Sequence, residues 1–229
     1  MIHDGRDYRE LLDLARSGKI AATRPKAGSP EHHTLITEYG GKKYVVKKAM
    51  RQYHHFDSRL KYRLFGSPFF STMKKVEKAI ENGCDRIQRI YLLEETAERD
   101  RKKNAICVNA WIVLDYLPGD MLLGHKDAGE LIKKIPGAIE EIHGYKLVQL
   151  DCNLGNFIVS EGRIKIIDIF FTSNPFFGPA CRAVRKLKKA YNLDIPVNGV
   201  ANRIVFAFAG AVYSGIDAWR SLFRKERRR

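Results

Sequence analysis

The sequence predicts an α+β fold of two lobes, strand-rich over residues 1–115 and helix-rich over residues 116–229. Three observations carry this. Period-two apolar patterns crowd the first half, helical periodicity marks the second, and Tyr116-Leu117-Pro118-Gly119 interrupts the pattern between them as a hinge. At 229 residues and 45% hydrophobic side chains, the chain is long enough to build two lobes around a shared cleft.

The elements follow in order. Residues 8–15 have helical spacing and end near Gly18. Residues 34–39 alternate, Gly40-Gly41 supplies a two-residue turn, and residues 42–47 resume as a strand, which reads as a β-hairpin. A basic stretch, residues 48–75, follows with Asp57 as its one acid. Residues 71–82 read as a helix with Met73, Val76, Ala79 and Ile80 on one face and Gly83 as its stop. Strands are expected at residues 87–93 and 106–114, separated by a charged turn over residues 94–104. Beyond the hinge, residues 128–142 read as a helix broken by Pro136-Gly137 inside it. Short strands at residues 156–160 and 163–169 are joined by Glu161-Gly162, and the chain from residue 179 on reads as helical and basic.

The net charge of +15 calls for an anionic partner, whether nucleic acid, an anionic membrane surface or a phosphorylated substrate. The four cysteines, Cys84, Cys107, Cys152 and Cys181, form no C-x-x-C pair, which argues against a zinc site or a disulfide framework and for a reducing compartment. The N-terminus carries no apolar signal core. The longest uncharged apolar run, residues 204–216, is shorter than the ~20 residues of a membrane-spanning helix, so a soluble or peripheral protein is expected.

Chemistry concentrates in Leu150-Asp151-Cys152-Asn153-Leu154-Gly155-Asn156-Phe157-Ile158-Val159 and in Ile164-Lys165-Ile166-Ile167-Asp168. An Asp and an Asn five apart, a short hairpin, then an Asp ending an apolar strand is the spacing phosphoryl transfer uses. Such a transfer needs a divalent cation held against nucleotide phosphates, so an amide and an acid must face each other across a hairpin. A separate carboxylate must reach the acceptor hydroxyl and take its proton. Asp151 fits the last role, and Asn156 with Asp168 fits the metal site. The same residues can instead serve as ordinary turn formers. Upstream, Lys47 in Tyr44-Val45-Val46-Lys47 suits the strand lysine that contacts nucleotide phosphates, with Lys48, on the opposite strand face, as its rival. Its helix-glutamate partner is Glu77 or Glu81.

These residues resemble a family, the lipopolysaccharide core heptose kinases, most closely those acting on the second heptose. The resemblance rests on Tyr39-Gly40-Gly41-Lys42-Lys43-Tyr44-Val45-Val46-Lys47, Leu114-Asp115-Tyr116-Leu117-Pro118-Gly119, Ile142-His143, and Asp151 through Val159 with Ile166-Ile167-Asp168. It implies a protein-kinase-like fold and the use of ATP with Mg²⁺. It further implies phosphorylation of an inner-core sugar hydroxyl at the cytoplasmic face of the inner membrane. By position, Asp151 is the implied base, Asn156 and Asp168 the metal ligands, and Lys47 the phosphate contact; Asp115, Tyr116 and Leu117 form the adenine-binding hinge. The chain departs from kinases in having Pro25-Lys26-Ala27-Gly28-Ser29-Pro30 in place of a glycine-rich loop, and Ile169-Phe170-Phe171 after Asp168.

Cations gather at residues 51–75, at residues 182–189 and at residues 220–229. Arg182, Arg185, Lys186 and Lys189 share one helical face and suit an anionic glycolipid or sugar substrate, or an anionic inner-membrane surface. Nucleic acid competes for this charge, but no helix-turn-helix, zinc-finger or RNA-binding signature appears. His143 reads as a packing or capping residue beside the catalytic loop. Two alternatives stand beside the sugar kinase: a kinase-like enzyme with another acceptor, and a kinase-like scaffold without catalysis.

Overall fold

The computed structural model describes residues 2–3, 6–23, 34–54, 56–100, 104–149, 151–167, 171–172, 187–189 and 191–194, with positions 204, 207–208, 210–211 and 214–215. A short pair of strands, β1 (Ile2–His3) and β2 (Arg6–Asp7), leads into helix α1 (Tyr8–Ser17). Asp7 caps α1 by accepting from the main-chain N–H of Arg9 at 2.9 Å, a donor with no partner inside the helix. Gly18 ends the helix in the left-handed conformation at φ 67°, where a side chain would cost energy. The face between these caps buries Tyr8, Leu11, Leu12 and Ala15 against Tyr44, Val46, Tyr91, Leu92 and Val113. Tyr8 stacks on Tyr91 with ring centroids 4.6 Å apart. Each fully buried leucine there contributes about 1.5–3 kcal/mol.

The sheet that α1 covers has five antiparallel strands. They are β3 (Ala22–Thr23), β4 (Thr34–Tyr39), β5 (Lys42–Tyr53), β6 (Ile90–Asp100) and β7 (Ala105–Asp115), in the order β3-β4-β5-β7-β6. The expected β4–β5 hairpin is present. Tyr39 pairs with Lys42 across Gly40 and Gly41, whose φ values of 57° and 74° are those a two-residue turn of this hand requires. The second strand runs six residues past the expected end at Lys47, because its pairing with β7 continues to Tyr53.

Between β5 and β6 lie helices α2 (Phe56–Phe65) and α3 (Pro68–Glu81). Helix α2 lies in the basic stretch, to which the sequence pattern assigns no helix. Helix α3 starts three residues earlier than its apolar spacing implies, since Ser67 caps it and Pro68 fits the first turn, where no N–H is needed. The charged turn expected over residues 94–104 is a correction: residues 94–100 belong to β6. As an edge strand, β6 carries charge where its side chains meet water, a pattern that discourages further strand pairing.

A second compact unit, Gly119–Arg229, follows the first, Met1–Pro118. Within it, β8 (Asp120–Met121), β10 (Phe157–Ser160) and β11 (Arg163–Ile166) form one sheet, and β9 (Val148–Gln149) pairs with β12 (Phe171–Thr172). The helix expected over residues 128–142 is two helices, α4 (Ala128–Ile132) and α5 (Ile135–Gly144), because Pro136 is tolerated only in a first turn. Helix α5 buries Ile135, Ala138, Ile139 and Ile142. Strand β11 stops at Ile166, short of the expected Ile169. The fold is α+β, with an antiparallel five-stranded sheet in the first unit and short paired strands and helices in the second. Among the described residues, no helix is long and apolar enough to cross a membrane.

Candidate active site

In the second unit, the segment after β9 turns tightly around Asp151. Cys152 points inward and is buried, while Asp151 is half-buried and Asn153 exposed. Asn153 donates from Nδ2 to Asp151 Oδ2 at 2.8 Å, which orients the carboxylate. A 3-10 turn, Leu154–Asn156, then returns the chain so that Asn156 Nδ2 donates to the main-chain oxygen of Asp151 at 2.9 Å. The Asn156 carbonyl in turn accepts from the N–H of Ile167 at 3.0 Å. One asparagine therefore ties the Asp151 turn to the far strand of the hairpin, one residue short of Asp168. Asp168 itself lies outside the described residues.

The direction of the Asn156 amide has a chemical consequence. Its nitrogen is committed to a carbonyl, so its oxygen is the atom that suits a hard divalent cation, which takes oxygen ligands. Gly155 is less constrained. A Cβ there would meet Met121 Cε at 3.7 Å and Leu123 Cδ2 at 3.8 Å, ordinary contact distances.

In the first unit the two candidate lysines are separated by the sheet. Tyr44 and Val46 face α1, and Lys48 shares that face, with its ammonium 5.6 Å from the Trp111 ring. Lys47 lies on the other face with Val45, half-buried and paired in register with Thr34 and Ile112. Helix α3 starts on that same side: Glu94 meets Arg16 of α1 at 2.7 Å, whereas its neighbour Glu95 accepts from the hydroxyl of Ser67, the cap of α3. Burial raises the Glu95 carboxyl above its ordinary range, with the Ser67 bond opposing. Glu77 and Glu81 are both exposed on α3, whose buried face is Phe69, Thr72, Val76 and Ala79.

Asp115 ends β7 and is engaged on every side. Its N–H donates to Arg89 O at 2.9 Å, and its carbonyl accepts from Gln88 Nε2 at 2.8 Å. Its carboxylate lies 3.1 Å from Lys42 Nζ and accepts from the Tyr91 hydroxyl at 3.3 Å, while Lys42 also donates to that hydroxyl at 2.8 Å. Desolvation opposes the Lys42 charge, but Tyr91 and Asp115 together push its pKa up to about 12. The ladder with β5 ends at the Tyr44–Asp115 pair, so the main chain of Tyr116 and Leu117 continues outside the sheet. Sequence reasoning misses Lys42, Tyr91 and Gln88. A signal is present for the first, since Lys42 shares a strand face with Tyr44, the register partner of Asp115.

Of the basic cluster, Lys189 is exposed on a short helical stretch, and Arg182, Arg185 and Lys186 lie outside the described residues. The neighbouring Lys188 pairs with Asp194 at 2.6 Å.

A family model described as lipopolysaccharide core biosynthesis protein (WaaY) matches residues 29–215. Two curated relatives, each named lipopolysaccharide core heptose(II) kinase WaaY, align with the chain. One, from Escherichia coli strain K12, is 28% identical over 166 residues, 70% of this chain and 63% of its own length. The other, from Escherichia coli, is 24% identical over 201 residues, 86% of this chain and 80% of its own. The chain thus spans somewhat less than two thirds of the first relative. Among solved structures, WaaP in complex with acyl carrier protein is similar in fold, with a TM-score of 0.50 at 15% identity over 97% of this chain and 93% of that one.

Proposed function

The chain belongs to the lipopolysaccharide core biosynthesis protein (WaaY) family, and from that premise we propose that it is an ATP-dependent kinase of a heptose hydroxyl in the lipopolysaccharide inner core. The observation that carries the proposal is the turn in which Asn156 Nδ2 holds the Asp151 carbonyl while Asn156 O holds the N–H of Ile167. That arrangement brings a carboxylate and an amide onto one short segment, two of the three groups that phosphoryl transfer needs.

In this reading Asp151 orients the acceptor hydroxyl and takes its proton as that oxygen bonds to the γ-phosphorus of ATP and the bond from this phosphorus to the β,γ-bridging oxygen breaks, releasing ADP. Asn153 supports it by fixing the carboxylate through the 2.8 Å bond. Asn156 through its Oδ1, together with the Asp168 carboxylate, would hold Mg²⁺; an amide and an acid completed by nucleotide phosphates is an ordinary donor set for that ion. Bound there, Mg²⁺ would offset charge on the β- and γ-phosphates. Lys47, on the α3 side of the sheet, would contact phosphate oxygens, with Glu77 as its candidate helix partner. Asp115, Tyr116 and Leu117 are the residues offered to the adenine: the Asp115 N–H is committed to the Arg89 carbonyl, while its own carbonyl, which accepts from Gln88, has a second lone pair to offer. The acceptor would be an anionic glycolipid reached at the cytoplasmic face of the inner membrane, with Arg182, Arg185, Lys186 and Lys189 drawing in its phosphate or acidic sugar groups.

The test separates acceptor chemistry from nucleotide binding. Asp151→Asn should lower phosphate transfer to a heptose acceptor by roughly 10²–10⁴-fold while the Mg-ATP thermal shift persists. Asp168→Ala should remove the Mg²⁺-dependent part of that shift. Near-parental turnover in Asp151→Asn sinks the assignment. A well-folded parent protein with no shift at millimolar Mg-ATP would point to a scaffold.

A further inference from the structure

We propose that the outward face of α2 docks this protein onto an anionic lipid bilayer. Phe56, Leu60 and Leu64 recur every fourth residue and form one stripe along the helix. They are 72%, 43% and 66% exposed, a large apolar surface for one ten-residue helix to show to water. The helix is fastened from behind. The Tyr62 ring lies 5.2 Å from that of Tyr53 in β5, and the Arg59 guanidinium donates to the carbonyl of Asn104. The stripe therefore has a fixed outward direction.

Charge selects the occupant. Arg59 and Arg63 stand one turn apart beside the stripe, and Arg99 of β6 joins them around a cavity of about 290 Å³ that Phe56 and Leu60 also line. Among the described residues lining it there are three arginines and no acid. Guanidinium groups beside aromatic and aliphatic side chains match the phosphate-to-acyl boundary of an anionic leaflet: Arg63 and Arg99 take headgroup phosphates, and the stripe enters the first few ångströms of hydrocarbon. A helix lying in the interface plane shows this division. The bilayer as occupant rests on the reading that the acceptor is a membrane-held glycolipid, for which a kinase needs a surface address as well as an active site.

Two variants spare the proposed catalytic residues: Phe56→Ser with Leu64→Ser, and Arg63→Glu with Arg99→Glu. Co-sedimentation compares phosphatidylcholine vesicles with and without phosphatidylglycerol. The parent should bind the anionic vesicles preferentially, and each variant should lose roughly tenfold in partitioning with its Mg-ATP thermal shift unchanged. Equal binding by the variants overturns the proposal and moves any membrane contact to the other basic segments. A parent that ignores anionic vesicles overturns it as well. So does light scattering in which the parent is a dimer and the variants are monomers, since the stripe then joins two copies. Transfer to a soluble heptose fragment keeps the two readings apart. Intact transfer with α2-independent vesicle binding defeats the docking alone, and α2-dependent binding without any transfer defeats the kinase alone.

Discussion

Lys42 joins the first residue of β5 to the last residue of β7, because its ammonium meets both the Asp115 carboxylate and the Tyr91 hydroxyl. The pair is partly exposed, with side chains 39% and 26% accessible, so solvent screening limits its contribution. Lys42→Met should lower unfolding free energy by about 1 kcal/mol, mainly by leaving Asp115 short of a donor. Under the kinase reading it should also weaken ATP binding, since the strand end that leads to Tyr116 loosens. Chemical denaturation and nucleotide titration check the two effects. His143 provides a pH handle. Burial lowers its pKa from the ordinary 6.5, outweighing the opposite pull of Glu140. The unfolded chain thus binds the proton first as pH falls through 6.5, and stability declines below that point until the lowered folded value is passed. His143→Gln should flatten the melting temperature between pH 7 and pH 5, a window set by that direction of shift. An unchanged acid slope would assign the loss to other groups.

At the scale of elements, Gly119 is the sharpest constraint. Its φ is 145°, and a Cβ built there would lie 2.1 Å from the Val159 carbonyl oxygen, closer than any real contact. Val159 pairs with Asp120, so the clash falls on the β8–β10 pairing of the sheet that carries the Asp151–Asn156 turn into β10. Gly119→Ala should cost about 2–4 kcal/mol, from backbone strain plus a lost pairing. Gly129 in α4 is the control, because a Cβ there meets nothing within 4 Å. Gly129→Ala should leave stability unchanged or raise it by up to about 1 kcal/mol. Equal effects at the two positions would show that the crowding at Gly119 relaxes cheaply.

For the whole molecule, a net charge of +15 sets the conditions under which any acceptor is met. Exposed cations act over a Debye length of ~8 Å at physiological ionic strength, so their pull weakens with salt. Changing Arg182, Arg185, Lys186 and Lys189 to Gln should raise KM for a phosphate-bearing acceptor by roughly threefold to tenfold. It should also flatten the salt dependence of that KM and leave KM for ATP in place. Steady-state kinetics from low to high salt checks this. A parallel loss of ATP affinity would put the cluster at the nucleotide site and end the recruitment idea.

Features written in short stretches of chain are legible in the amino-acid sequence by itself. The Gly18 stop of α1, the Gly40-Gly41 hairpin and the Glu161-Gly162 turn each depend on residues within a few positions of one another. The spacing of Asp151 and Asn156 is likewise visible, although the bond from Asn156 Nδ2 to the Asp151 carbonyl is not. Folding decided what depends on distant partners. Lys47 and Lys48 are adjacent and chemically alike, and they differ only because α1 covers one face of β5. Residues 94–100 are strand because β7 pairs with them, and the charges that made them look like a turn are those an edge can carry into water. Lys42 and Asp115 are far apart in the chain and meet because Tyr44 and Asp115 are register partners. Local backbone preference acts over a turn or a cap and can be read from neighbouring letters; cross-strand pairing and the choice of buried face are collective, and exist only once the sheet is assembled.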